Sequence, residues 1–373
     1  MPPRYLPLSL LVAILLFASA CKQSPQQISI SGHIEGLKDS ILFIAIPKED
    51  SYHTFDSYET YDFNNDDYKY VPVKNGSFSW IQAYNGPQHL VLKISSHTVT
   101  LFTGKTDIEI LGRADSLANL RISGSVAQQE FEALRSIMME IWKKELYLGG
   151  VLSKVRDTNL LKEIEPQYDS VMALKKLKTE QFIASHPGSI VSVGIIKELA
   201  YDGDPAYLDS LNKLLTPEIV ATPAGQRLEE KLAVLRRGAV GQVFRDFEQI
   251  DLKGDTVRLA DYKGKYLLVF YWVSYTKEEN LEVLRLYKCY RKKGFDVLGV
   301  FIGEDRARWK DMVAWYGLPW KQVSDLEWIH GHLAREYGIR SMPNNFLLDP
   351  KGVIIGRDMS MKELETKLCE VVH

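Results

Sequence analysis

Cysteine is scarce in this chain. Its 373 residues hold three, Cys21, Cys289 and Cys369, so the stretch from residue 22 to residue 288 contains no thiol. Disulfide exchange needs a thiolate to attack a disulfide sulfur, and neither a hydroxyl nor a carboxylate forms the mixed disulfide. Such chemistry is therefore excluded within that stretch. A basic surplus is lacking too: 46 Lys and Arg stand against 48 Asp and Glu, a net charge of −2. With no RNA- or DNA-binding motif, no nucleic-acid partner is expected. No apolar run beyond the N-terminus is long enough to span a bilayer, and no internal repeat is evident. What is present is ordinary globular composition, 45% hydrophobic and 25% charged, at a length that suits two to three domains.

The N-terminus points to export. Arg4 precedes an apolar run from Leu6 to Phe17, too short for a membrane-spanning helix, that ends in Ala18-Ser-Ala-Cys21. Residues 1–20 resemble a bacterial lipoprotein signal, cleaved before Cys21, whose thiol would carry lipid and hold the protein to a membrane. An ordinary secretory signal is the alternative. Thiol lipidation with an acylated new N-terminus supplies several chains, enough for stable anchoring. Lys22 follows, where an aspartate would suggest inner-membrane retention. The expected location is the cell envelope, at the periplasmic face of an outer membrane, with surface exposure left open.

After a polar tether, residues 21–27, the pattern is that of strands. Ile28 to Gly36 alternates, and Ile41 to Ile46 is a short apolar run. Turn signals at Lys74-Asn-Gly-Ser77 and Tyr84-Asn-Gly-Pro87 separate further strands around Phe78, His89 to Ile94 and Thr98 to Phe102. An antiparallel β-sandwich over residues 28–124 follows. The aromatic-rich insertion Tyr52 to Tyr70 is either a partner surface or the cover of a long hairpin loop. Within it, Asp62-Phe-Asn-Asn-Asp-Asp67 is oxygen-rich but lacks the glycine and final glutamate of an EF-hand loop. Residues 125–237 read as a helical connector. Ser125-Val-Ala-Gln128 is a capping box, and Phe131, Leu134, Met138 and Ile141 share one helical face. The apolar pattern continues through Leu174, Leu177 and Phe182, then Ile195, Leu199, Leu208, Leu211 and Leu215. His186-Pro-Gly188 and Thr222-Pro-Ala-Gly225 mark breaks between helices.

The remainder, residues 238–373, carries Asp246-Phe, Asp251-x-x-Gly254, Leu259-x-Asp-Tyr-Lys-Gly-Lys-Tyr266, Lys293-Gly-Phe-Asp-Val-Leu-Gly-Val300 and Tyr337-Gly-Ile-Arg-Ser-Met-Pro-Asn-Asn-Phe-Leu-Leu-Asp349. In order and spacing these resemble the AhpC/TSA-type, thioredoxin-like envelope family that includes the TlpA and ResA proteins. The resemblance implies an α/β thioredoxin-like fold. The sandwich and connector in turn resemble the β domain of unknown function and the helical segment that precede such modules in envelope lipoproteins. The family's redox Cys-x-x-Cys would stand within Val269-Phe-Tyr-Trp-Val-Ser-Tyr-Thr-Lys-Glu-Glu-Asn280, which has no cysteine. If Trp272-Val-Ser-Tyr275 matches the family's Trp-Ala-Ser-Trp, the cysteines fall on Thr276 and Glu279. If the helix after it is matched instead, the second cysteine falls on Thr276 and the nucleophile's tip is missing; this alignment is preferred because it needs no further gap. Either way the redox site, spread over Tyr275, Thr276, Lys277, Glu278 and Glu279, has lost its chemistry. A peroxiredoxin reading fails equally, because no peroxidatic cysteine stands at this helix start.

Thr276-Lys-Glu-Glu279 instead fits a capping box, with Glu278 and Glu279 complementing the helix dipole. Pro343 occupies the family's cis-proline position, where the resemblance implies that the preceding backbone pairs with an extended peptide. Trp272, Tyr275, Met342 and Pro343 are therefore candidates for a peptide-binding groove, unless Pro343 only shapes the fold. Cys289 lies too far along its helix to replace the missing nucleophile. In a thioredoxin-like fold its helix and that of Cys369 share a face, so a disulfide between them is conceivable. His330-Gly-His332 has metal-ligand residue types without a third partner, and no metal or cofactor is expected. Three functions stay open: a lipid-anchored module that binds peptides or proteins without turnover, a thiol-disulfide oxidoreductase in envelope redox homeostasis or cytochrome maturation, and a binder whose β domain carries the function.

Overall fold

The computed structural model describes residues 26–45, 68–155, 157–201 and 203–373. Cys21, the signal, the Asp62 to Asp67 run and most of the aromatic insertion lie outside the described residues.

Among the described residues, eight strands form the first part: β1 (Gln27–Glu35), β2 (Ser40–Ala45), β3 (Tyr68–Val73), β4 (Ser77–Ala83), β5 (Gln88–Ile94), β6 (His97–Thr103), β7 (Ile108–Arg113) and β8 (Arg121–Ser123). They pair in two four-stranded sheets, ordered β4-β1-β7-β8 and β3-β2-β5-β6. Ile30, Ile34, Phe78 and Ile110 from one sheet and Leu42, Ile44, Leu90 and Leu92 from the other bury into a single core. Antiparallel pairing was expected throughout, but β1 and β7 run parallel, from Ile30 beside Ile108 to Glu35 beside Arg113. Asn75 and Gly76, both at positive φ, pass the chain from β3 to β4 and so from one sheet to the other. Gly76 is required there, since a Cβ would run into the carbonyl of Ile34.

Six helices follow: α1 (Val126–Leu152), α2 (Thr158–Ser185), α3 (Ile190–Leu199), α4 (Pro205–Asn212), α5 (Pro217–Val220) and α6 (Pro223–Arg237). Their core joins Phe131, Leu134, Met138 and Ile141 of α1 to Ile183, Ile196, Leu208, Leu211, Leu228 and Leu232, and it takes in Phe102 from β6. Ser125 caps α1 by accepting from the Gln128 N–H at 3.3 Å, but the reciprocal half of the box is missing. The buried Gln128 side chain instead accepts from Phe102 N at 2.8 Å and donates to Thr100 O at 3.4 Å. It thus satisfies backbone groups on the edge strand β6, which would otherwise lie open to a stray strand. Leu174 and Leu177, expected to continue the apolar pattern with Phe182, are exposed; Phe182 is buried as expected, and α2 adds Val171 and Ile183 to the core.

The C-terminal unit contains β9 (Glu248–Ile250), β10 (Thr256–Arg258), β11 (Tyr266–Trp272), α7 (Lys277–Tyr290), β12 (Phe295–Phe301), α8 (Arg306–Tyr316), β13 (Lys321–Val323), α9 (His332–Glu336), β14 (Asn344–Leu348), β15 (Ile354–Arg357) and α10 (Met361–Val371). Its main sheet has the order β13-β12-β11-β14-β15, with β11, β12, β13 and β15 running one way and β14 the other. β11 is central, and its continuous apolar run suits a strand covered on both faces. Leu268, Phe270 and Trp272 face the core shared with α7, α8 and α10. Leu267, Val269 and Tyr271 face the opposite core, with Leu333 and Ala334 of α9. This is a thioredoxin-like fold.

The unit is tied to the helices before it. Arg357 on β15 is largely buried, which lowers its pKa; it donates to Leu235 O of α6 at 3.0 Å and lies over the Phe346 ring. Glu336 accepts ion pairs from Arg237 at 3.2 Å and Arg245 at 2.7 Å.

Candidate functional site

The site lies where β11 runs out and α7 begins. Val273, Ser274, Tyr275 and Thr276 make the turn between them, and Thr276 is 2% exposed. Its hydroxyl donates to the Val273 carbonyl at 2.8 Å and accepts weakly from the Val273 N–H at 3.3 Å. The capping box expected of Thr276 and Glu279 is therefore not formed, because the threonine side chain closes the preceding turn rather than meeting the helix. Asn280, fully buried one turn on, donates through Nδ2 to Thr276 O at 2.7 Å and to Thr276 Oγ1 at 3.1 Å. Thr276 is thus a buried hydroxyl whose proton is committed to Val273 O. Lys277 and Glu278 are exposed and Glu279 is half-buried.

Trp272 does not line a groove. It is fully buried, since strand alternation points it under α7 and α8, where it meets Phe301 edge-on at 5.0 Å and donates to Gln322 Oε1 at 3.0 Å. Gln322 reaches that indole by lying across Gly299, where any Cβ would collide with the amide. Tyr316 continues the support by donating to Ser274 O at 2.8 Å; burial, and then the charge of Glu278, raise its pKa.

The other candidates lie at the same end of the sheet. The Met342–Pro343 peptide is cis, and both residues are half-buried. Asn344 pairs with Tyr271 at the last step of the antiparallel β11–β14 ladder, so the cis peptide lies at the end of the sheet where β11 finishes, and Met342 packs against the core that holds Val273. Tyr275, 69% exposed, projects at this end of the sheet. Trp315 was not singled out from sequence. It is 67% exposed at the end of α8, stacks on Tyr316, and holds Lys277 Nζ 5.3 Å from its ring centre. The pair Trp315-Tyr316 at a helix end was its one signal, because adjacent helical residues cannot both face the core.

The remaining sequence candidates lie elsewhere. Cys289 and Cys369 are both exposed free thiols, so the conceivable disulfide is not formed. His330 and His332 are exposed on either side of Gly331, and among the described residues no group of three metal-ligand side chains gathers. No helix among the described residues is long and apolar enough to cross a membrane.

Fold and site together define a thioredoxin-like module with Thr276 at the start of α7. The AhpC/TSA family profile matches residues 240–357. The chain is 32% identical over 145 residues to the thiol-disulfide oxidoreductase ResA of Geobacillus kaustophilus, an alignment covering 37% of this chain and 79% of that protein. It is likewise 32% identical over 128 residues to the ResA of Geobacillus thermodenitrificans, covering 34% and 70%. A solved thiol-disulfide oxidoreductase from Bacteroides fragilis aligns at 32% identity over 35% of this chain and 99% of its own, with a TM-score of 0.34. The chain belongs to the AhpC/TSA family, among the ResA- and TlpA-like thioredoxin-fold proteins.

Proposed function

We propose that this is a lipid-anchored envelope protein whose thioredoxin-like domain binds an extended peptide, or an exposed strand of a protein partner, without redox turnover. The observation that supports this reading is the pairing of an open Tyr275 and a cis Met342–Pro343 loop with a threonine whose hydroxyl is locked to Val273. Backbone pairing beside Met342 would supply affinity, and Tyr275 with Met342 a pocket for side chains. In this reading Cys21 carries the lipid and residues 21–27 the tether. The β-sandwich of residues 28–124 and the connector of residues 125–237 hold the module of residues 238–373 away from the membrane, at the periplasmic face of the outer membrane. A photo-crosslinking amino acid at position 275 of the full chain, used in cells, tests it. Adducts with one or a few envelope polypeptides, competed by excess unlabelled protein and weakened about tenfold by Met342→Ala, are expected. Diffuse labelling unaffected by competitor would refute it.

A second reading, thiol-disulfide oxidoreductase activity, is favoured by the names of the relatives. It requires Cys289 or Cys369 to react, or a partner's thiols.

A further inference from the structure

Two thiols remain outside the vacated site, and the topology sets their helices side by side. β14 runs antiparallel to both β11 and β15, so β11 and β15 point the same way. α7 returns from β11 and α10 from β15 over one face of the sheet, with Val283, Leu286, Leu364 and Leu368 in a common core. The two helices therefore run in the same direction. Arg285 on α7 clasps Glu365 on α10 through two bonds of 2.8 Å each. Cys289 and Cys369 each stand four residues further along, about 6 Å or just over one turn beyond the clasp. Counting at 3.6 residues per turn, each cysteine lies roughly 100° round from its helix's buried stripe, on the flank that carries the clasp. Both are exposed. Tyr290, which packs against Phe295, lies within reach of both thiols. Its phenol is pushed up by burial and next by the neighbouring Cys369, with Glu365 and Cys289 adding to the shift.

We propose that Cys289 and Cys369 are an oxidisable pair that closes an inter-helix disulfide, taking a low-molecular-weight or protein disulfide as oxidant. The thiolate of one cysteine attacks a donor sulfur, breaking the donor S–S bond and releasing one donor thiol. The second cysteine then attacks the resulting mixed disulfide, releasing the other donor thiol and forming the Cys289–Cys369 bond. The protein gives up two electrons and two protons, and the donor takes both. Both cysteines lie in the last turns of their helices, away from the helix starts that activate catalytic thiols, so the pair closes stoichiometrically instead of turning over. The closed bond fastens the C-terminal helix to α7, beside the Arg285–Glu365 clasp.

The test treats the reduced full chain with oxidised glutathione and follows the peptides bearing Cys289, Cys369 and Cys21 separately by mass. Expected is one cross-linked species joining the Cys289 and Cys369 peptides, lighter by two hydrogens than their sum and reversed by reductant. In Cys289→Ser the same treatment should leave a stable glutathione adduct on Cys369. Stable adducts on both cysteines of the unsubstituted chain, or two thiols left unreacted, would overturn the proposal.

Discussion

The Thr276 hydroxyl donates to the Val273 carbonyl at 2.8 Å, closing the turn between β11 and α7. The same oxygen receives the Asn280 amide, so three buried groups depend on one side chain. Removing it takes the acceptor from the Val273 N–H, and leaves the Val273 carbonyl with the Thr276 N–H and the Asn280 amide with Thr276 O. Thr276→Val, nearly isosteric, should lower stability by about 1–3 kcal/mol, the cost of orphaning a buried polar group. Urea unfolding of the variant beside the parent checks this. An unchanged midpoint would mean that water reaches the turn.

Trp272 acts through packing. Trp272→Ala should cost about 3–5 kcal/mol, as expected for emptying a large core position. Trp272→Phe should lose less stability and leave cross-linking from position 275 intact. Thermal unfolding and the cross-linking assay, run on both variants, separate a core role from a contact with partner; loss of cross-linking in a folded Trp272→Phe would restore the indole to the groove.

Asp251 gives the fold an acid-sensitive point. Its carboxylate, 4% exposed, accepts from Lys321 Nζ at 2.6 Å, from Lys253 N at 2.8 Å and from Asp255 N at 3.0 Å. Burial alone would raise its pKa, but these donors outweigh burial and hold it below the ordinary value of 3.8. A carboxyl depressed in the folded state stabilises above its unfolded pKa, and that contribution is lost as pH falls through the folded value. Stability should therefore decline below about pH 4, and Asp251→Asn should flatten that decline while costing about 1–3 kcal/mol at neutral pH. Denaturation midpoints from pH 7 to pH 2 for both proteins decide it.

Gln128 joins the β region to the helices. Gln128→Leu keeps much of the bulk but strips Phe102 N and Thr100 O of their partner on the edge strand β6. A loss of about 1–3 kcal/mol is expected, with faster amide hydrogen exchange along β6. Exchange confined to the loops would show that β6 is protected by other means.

Much of this architecture was legible from the chain. β11 is an unbroken apolar run in the sequence, and α8 is bounded by residues of recognisable type, since Asp305 caps one end and Gly317, at positive φ, closes the other. The site was legible in part. The missing thiols were plain, and Met342, Pro343 and Tyr275 do gather at one end of the sheet. Residue type did not reveal where side chains point: Thr276 turns back to Val273 instead of capping α7, and Trp272 takes the inner side of a strand buried on both faces. Gln322 over Gly299 was hidden for the same reason, since that contact joins strands far apart in sequence and follows only from their register.

The most direct measurement is disulfide-reductase turnover of the full chain, beside the double variant Cys289→Ser, Cys369→Ser, with a protein disulfide as substrate and dithiothreitol as reductant. A helix start bearing Thr276 in place of a thiol gives no turnover above the uncatalysed rate in either protein. Sustained turnover by the unsubstituted chain that vanishes in the double variant would contradict a non-redox role.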